Sequence, residues 1–447
     1  MNLVRGGVSG KRALWCAVLG ACASLAGCGA TERGGEDPWP LWQEDTAWLD
    51  EFSRLAAQAP ADADCADLRG PTLVGRFCRS MPGVDPHGPA QNGFMMLHPA
   101  DAPDFPIYRW VGMNFEHIYN GRAQDDHRNS YTPRSATSHL IPHSPSSATL
   151  YWPGPGLGWP AACAVTAEMA GPEAVDLDVR MAFHEAVRGP VGFMWASYMR
   201  AAGQEIHYWG HGADDPAPGT PGWRAFAMPR KPDLEAYSSA YGAVLGYRRV
   251  GQASDEWSGN SSFNMYLNDR ACYLLPVFYG HLLAGPDAGS ERRHVYVMMF
   301  NTAPPIRFAN FHFAPGDTSP AWDWQYLVED PQPGRTYRYR ARILVLAPEQ
   351  EDRVLEHYTA WLKDASGAGP SLRIDADPPE AGAIVPPQCN GAYPPGESVH
   401  FGAEARPGWR FQHWEGPVED AQHPYTWTRM DEPREITAKF VRTGAGD

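Results

Sequence analysis

The sequence predicts an all-β protein: one large β-sandwich of supersandwich size, followed by a small, mostly β module, with a short helix ahead of both. Two observations carry the prediction. Apolar residues recur with period two through residues 65–365, and Gly and Pro interrupt that text repeatedly. In VDLDVRMAF, Val175, Leu177, Val179, Met181 and Phe183 alternate with Asp176, Asp178, Arg180 and Ala182. In RTYRYRARILVL, Tyr337, Tyr339, Ala341 and Ile343 alternate with Arg338, Arg340 and Arg342. RHVYVMMF is nearly continuous in apolar residues, as a strand buried on both faces would be.

Taken in order, residues 1–27 read as a targeting segment. Arg5, Lys11 and Arg12 precede the uncharged run Ala13 to Leu25, which is too short to span a bilayer. The run ends in Leu25-Ala26-Gly27-Cys28, which resembles the lipobox of bacterial lipoproteins. The resemblance implies lipidation of Cys28, cleavage before it and a bilayer as partner. Gly29 and Ala30, not Asp, follow the cysteine, which by the usual sorting pattern favours the outer membrane. A plain secretory signal is the alternative. Residues 28–38 are Gly-rich and polar, the composition of a tether. Residues 39–64 hold one amphipathic helix over 40–58, with Leu41, Trp48, Leu49, Phe52, Leu55 and Ala56 at helical spacing.

Loss of the leader removes three basic residues and leaves 34 against 52 acidic ones, a net charge of about −18. So acidic a chain argues against nucleic acid, whose phosphates need clustered Lys and Arg. It equally argues against electrostatic adhesion to anionic lipid, so the acyl chains would have to hold the protein at the envelope. Of eight cysteines, Cys16 and Cys22 leave with the leader and Cys28 takes lipid. Cys65 and Cys78 are close enough in sequence to form a disulfide outside the cytoplasm. Cys163, Cys272 and Cys389 remain, so at least one thiol stays unpaired.

A second helical stretch, residues 348–364, closes the large domain, and ASGAGP at 365–370 has linker composition. Residues 371–441 then resemble the divergent internalin-type B-repeat domains of bacterial surface proteins. Gly382 to Pro386, Gly396, Pro407-Gly408-Trp409, Phe411 with Trp414, and Ile436 with Lys439-Phe440 carry the resemblance. It implies a spacer or adhesive module and no chemistry. Trp409, Phe411, Trp414 and Trp427 are expected mainly as its core.

Chemistry, if present, belongs to the large domain. It holds no nucleophile elbow, no phosphate-binding loop and no dinucleotide fingerprint, and no cofactor is predicted. His207 and His211 share a strand face about 13 Å apart, too far to chelate one zinc unless Gly210 turns the chain. No metal site is therefore predicted, and a metal-dependent hydrolase is the weakest reading. Thirteen of the seventeen Trp lie between Trp39 and Trp361, several beside charged neighbours, as carbohydrate sites require. The candidate substrate-binding residues are Arg134, Arg180, Trp195, Tyr198, Trp209 and Trp322.

MNFEHIYNGRAQDDHRNSYTPR, Met113 to Arg134, is the densest polar stretch. As a regular strand, VGMNFEHIY puts Val111, Met113, Phe115, His117 and Tyr119 on one face. Trp110, Asn114, Glu116 and Ile118 then take the other, so Glu116 and His117 would not form a pair. Asp125, Asp126 and Asn129 give a weak calcium signal without EF-hand spacing. The candidate catalytic residues are His117 or His184 as acid–base, with Glu116 or Asp323 as the partner carboxylate. The Arg338, Arg340, Arg342 stripe reads either as a contact for carboxylated sugars or as a strand face paired with Asp and Glu across the sheet.

The phrases NFEH…NG, ATLYWP, WASYM…IHYWG and AWDWQY, spread over residues 109–345, resemble a group of uncharacterised secreted bacterial proteins. Those resemble in turn the galactose-mutarotase-type supersandwich, a fold of sugar epimerases and of some polysaccharide lyase and hydrolase domains. No catalytic motif of that family maps residue by residue, so fold alone is implied. The expected function is a cell-envelope lipoprotein whose sandwich binds, and in its enzymatic form processes, a polysaccharide or other glycan. The alternative is a non-catalytic surface adhesion or structural lipoprotein.

Overall fold

The computed structural model describes residues 42–43, 45–60, 63–81, 90–120, 132–154, 156–188, 190–200, 202, 205–210, 222–227, 248–249, 266–267, 273–284, 291–302, 306–311, 320–328, 330–363 and 366–444. The leader, Cys28 and its tether, Asp125, Asp126, Asn129, His211 and Cys272 lie outside the described residues. No described helix is long and apolar enough to cross a membrane.

The chain from Leu41 onward is one compact unit. Its largest layer is a ten-stranded sheet. Seven consecutive strands of it run Tyr273–Leu283, Arg292–Phe300, Thr336–Leu346, Ala174–Phe183, Ala161–Gly171, Ser147–Trp152 and His139–Ser144, all antiparallel. Facing it is a four-stranded antiparallel sheet of Ile306–Phe311, Ala321–Val328, Val191–Tyr198 and Asn114–Tyr119. The three strands Cys65–Arg69, Leu73–Met81 and Gln91–Pro99 form a further small sheet, in which Cys65 and Cys78 stand opposite each other and are disulfide-bonded. Cys163 and Cys389 are buried free thiols.

The alternating residues behave as their period requires. Val175 to Phe183 and Tyr337 to Ile343 turn their apolar set into one core, where they meet Phe115, Ile118, Phe193, Trp195, Trp322, Trp324 and Tyr326 of the smaller sheet. Their polar set stands on the opposite face as an ion-pair ladder. Arg342 bonds Asp176 at 2.5 and 2.7 Å, and Arg338 bonds Asp178 at 2.8 and 2.9 Å. The arginine stripe is thus a paired strand face.

The N-terminal helix is shorter than its periodicity predicts, Ala47–Gln58, because the chain before it is paired to the start of the Thr336–Leu346 strand. Trp42–Gln43 pairs with Thr336 and Tyr337, and the Thr336 hydroxyl donates to the Asp45 carbonyl at 2.7 Å. Trp48 and Phe52 bury that helix against Tyr151, Ala162, Ala164 and Ala182 on the outer face of the large sheet.

A 3-10 turn Pro348–Arg353 and the helix Val354–Leu362 cover another part of that face and lead into the C-terminal module. The module is a four-stranded sheet, Gly391–Ala392, Ser371–Asp377, Arg434–Arg442 and Trp409–Glu415, with the three strands Gly382–Val385, Ser398–Ala405 and Tyr425–Arg429. Gly382 is required by packing, since a Cβ there would lie 2.2 Å from the Phe440 ring. The module does not hang from its linker. Val399, Phe401, Trp414 and Ile436 share one hydrophobic cluster with Leu344, Leu346, Val354, Tyr358 and Trp361. Arg340 also bonds Glu397 at 2.5 Å across the seam.

Candidate functional site

The Asn114–Tyr119 strand does not keep strict alternation. It pairs with Val191–Tyr198 as His117 opposite Met194 and Phe115 opposite Trp195, so Glu116 is the extra residue of a β-bulge. The core confirms the shift, because Phe115 and Ile118, three residues apart, both enter it. Period two allows two or four residues between inward side chains, never three. The two residues between them are turned to the other face. The expectation that Glu116 and His117 lie on opposite sides of one strand is therefore corrected: the bulge resets the parity between them.

That outer face carries two polar rows across three strands. Asn114, Ala196 and Asp323 stand in one register row, and His117, Met194 and Gln325 in the next. The middle strand contributes small or flexible residues, Gly192, Met194 and Ala196, while the flanks are polar. Gly192 is needed because the Tyr119 ring crosses it; a Cβ there would lie 2.3 Å from the ring. The Tyr119 hydroxyl thereby reaches Gln325 Oε1 at 3.1 Å.

Glu116 is held by two donors on the same oxygen. Arg134 Nη1 donates to Oε1 at 2.8 Å, and so does the Tyr198 hydroxyl, also at 2.8 Å. Arg134 comes from the short helix Thr132–Ser135 and is fully buried, with Nε on the Ala90 carbonyl at 2.5 Å. That helix is pinned by Pro133, whose carbonyl accepts Trp152 Nε1 at 3.1 Å. Tyr198 is kept protonated: burial first, then the charges of Glu116 and Asp323, push its pKa well above the ordinary value. Glu116, His117, Tyr198 and Asp323 are each 5% exposed or less, in surroundings where charge interactions are stronger than in water.

At the rim, Trp110 is half-buried and meets the Tyr198 ring edge-on at 5.4 Å. The Arg109 guanidinium lies 4.6 Å from the Trp110 ring centre. Met113, which leads into the strand, has φ 60°, a left-handed conformation that a Met side chain rarely adopts. Strain of this kind concentrates at binding and catalytic positions.

Five predicted residues, Glu116, His117, Arg134, Tyr198 and Asp323, thus converge on one face. The others do not. Trp195 and Trp322 are wholly buried in the core, stacked or edge-on with Trp324 and Tyr296, because their parity is that of Phe193 and Tyr326. Neither therefore lies on the outer face where a substrate-binding residue was expected. Arg180 stands on the outer face of the ten-stranded sheet, bonded to Asp178 at 2.8 Å and 5.9 Å from the Phe52 ring. Both sheets and the core separate it from Glu116. His184 is exposed beyond the end of the Ala174–Phe183 strand, where a Cβ on Gly154 would lie 2.7 Å from its Nε2. Trp209 packs edge-on to Trp223 at 5.4 Å, against the second hydrophobic cluster. The expected grouping of Arg180 and His184 with Glu116 and His117 is not formed. Among the described residues, no three His, Cys, Asp or Glu are arranged to hold a metal ion.

Sequence reading missed Asn114 and Gln325. Gln325 was within reach of it, since alternation in AWDWQYLV places it with Asp323 and against the tryptophans. Alternation likewise placed Asn114 on the face of Glu116; its role was missed because a single Asn in a strand carries no motif.

Residues 373–444, within the C-terminal module, match the family model of the divergent InlB B-repeat domain. No curated protein matches the chain in sequence. Among solved structures, the chain is similar to a putative aldose 1-epimerase from Escherichia coli K12, with 11% identity, TM-score 0.35, and 63% of this chain and 99% of that one covered. A galactose mutarotase-like protein from Lactobacillus casei is similar at 10% identity and TM-score 0.32, covering 63% of this chain and 99% of that one. A GH36 alpha-galactosidase from Geobacillus stearothermophilus matches at 10% identity and TM-score 0.32, over 70% of this chain and 45% of that one. No residue's role is drawn from these three; the site stands on its own geometry.

Proposed function

We propose that the outer face of the four-stranded sheet binds a carbohydrate and that His117 moves a proton on it. One observation carries the reading: the bulge at Glu116 turns His117 out of the core parity, so that both adjacent ionisable residues share a face with Asp323, Tyr198 and Gln325. Carboxylate, amide, imidazole and phenol around small central residues match the hydroxyls of a sugar, and Trp110 at the rim offers a ring for its C–H face.

The roles divide by how each group is held. Glu116 is already engaged by Arg134 and Tyr198, which suits it to fixing charge and position. His117 is the side chain whose ordinary titration range lies near neutrality, as general acid–base work requires. Asp323 is the partner carboxylate, and the chemistry is proton transfer at a sugar carbon or at a glycosidic oxygen. Lipidation of Cys28 would hold this site at the cell envelope, the destination that the leader's lipobox-like end implies.

The test is a glycan array together with a polysaccharide-turnover screen on the chain from residue 42, with His117→Ala in parallel. Binding by both proteins with turnover only by the parent supports the reading. Binding without turnover by either leaves the surface-adhesion alternative. Absence of any glycan binding overturns it.

A further inference from the structure

We propose that Asn114 and Gln325 are the specificity-determining residues of this face, the two donors that read a sugar's hydroxyl oxygens. The inference rests on the carbohydrate reading above and extends it to residues that no motif marks.

Each amide is hydrogen-bonded at its oxygen and unpaired at its nitrogen. Asn114 Oδ1 accepts the Asn92 backbone N–H at 3.1 Å, which orients the side chain, since an N–H can only be met by the oxygen. Its Nδ2 is buried with no hydrogen-bond partner. Gln325 Oε1 accepts the Tyr119 hydroxyl at 3.1 Å, and its Nε2 is likewise buried without a partner. Both residues are 0% exposed. Buried polar groups are nearly always satisfied, so two orphaned donors in adjacent register rows call for an explanation.

The register supplies one. Asn114 shares its row with Asp323, and Gln325 shares the next row with His117, on opposite flanks of the Val191–Tyr198 strand. Those flanks lie about 10 Å apart across the middle strand. Each row then offers an amide donor on one flank and a group able to accept on the other. A ring bearing vicinal hydroxyls, each both donor and acceptor, satisfies both rows together.

The arrangement that holds Asn114 is itself built. Asn92 Oδ1 accepts the Phe115 N–H at 2.7 Å and Asn92 Nδ2 donates to the Phe115 carbonyl at 3.1 Å. The bulged strand is thereby clamped to Gln91–Pro99 at Phe115, next to Asn114, and the donor end is the part left over.

The experiment measures glycan affinity and ligand-free thermal stability together, using the sugar that the parent chain binds most tightly on the array. The first variant is the double Tyr119→Phe/Gln325→Met, which removes both members of the Tyr–Gln bond and so strands neither. The second is Asn114→Asp, which keeps the oxygen facing the Asn92 N–H and replaces the open donor by an acceptor. The proposal expects each to lose at least tenfold in affinity, and the double variant to keep the parent's thermal midpoint. Parent-like affinity in either variant overturns the proposal while the carbohydrate reading stands. A double variant that melts early and binds like the parent once folded also overturns it, by making the pair structural. A parent chain that binds no glycan removes the reading beneath it.

Discussion

Glu116 sits where a single lost contact is expensive. Its carboxylate and the Arg134 guanidinium are 4% and 0% exposed, so each relies on the other for the solvation it has lost. Arg134→Met leaves the carboxylate buried and uncompensated, and should cost about 3–5 kcal/mol in chemical denaturation. Tyr198→Phe removes one hydrogen bond to a charged oxygen and should cost about 1.5–3 kcal/mol by the same measurement. A smaller loss for Arg134→Met than for Tyr198→Phe would contradict the placement of Arg134 as the principal partner. At this scale the sequence told only part of the story. Residue types announced a polar site, and five of its members were named from them, three of these between Met113 and Arg134. Which of them meet was decided by one extra residue in a strand, and a bulge leaves no mark in residue type.

Strands and helices were more legible, because period two and period 3.6 are properties of the text. The Val175–Phe183 and Tyr337–Ile343 alternations turned inward as written, and Arg338 and Arg342 found Asp178 and Asp176 across the ladder. The tryptophans of AWDWQYLV obey the same rule, which puts them in the core, where Trp322 is no longer placed to bind substrate as expected. The seam between the large domain and the C-terminal module makes a further prediction. Burial raises the Glu397 pKa above its ordinary 4.5, opposed by the Arg340 charge and by hydrogen bonds from Asn301 and Arg340. The folded state therefore holds a proton that the unfolded chain has released. Stability from this group is fully present below pH 4.5 and is lost as pH rises through the folded value. Glu397→Gln should flatten that part of the stability–pH curve, followed by thermal melts in steps of pH. Parent stability that, measured against the variant's, declines as pH falls would give the opposite sign and refute the assignment.

For the molecule as a whole, the linker's composition and the module's packing point in different directions, and packing decides. ASGAGP reads as a flexible joint. Yet Tyr358, Trp361 and Leu362 carry the large domain's outer face into the module's core, and Arg340 and Arg342 lie 5.3 and 5.7 Å from the Trp361 ring. Calorimetry of the chain from residue 42 should give one transition shared by sandwich and module. Deletion of residues 371–444 should lower the midpoint of what remains and promote association through the bared apolar face. Two separate transitions, the first equal to that of the isolated module, would contradict a common core. For the leader, metabolic labelling with an alkyne fatty acid should mark the parent and not Cys28→Ala.

The central claim is that Glu116 and His117 share one face with Asp323, and that this face holds a sugar. Saturation-transfer NMR with a panel of monosaccharides and short oligosaccharides tests it most directly, on the parent and on His117→Ala and Asp323→Asn. The account predicts saturation of ring protons by the parent, weakened in both variants while their folds melt like the parent's. Equal saturation by all three proteins would place any sugar elsewhere and contradict it.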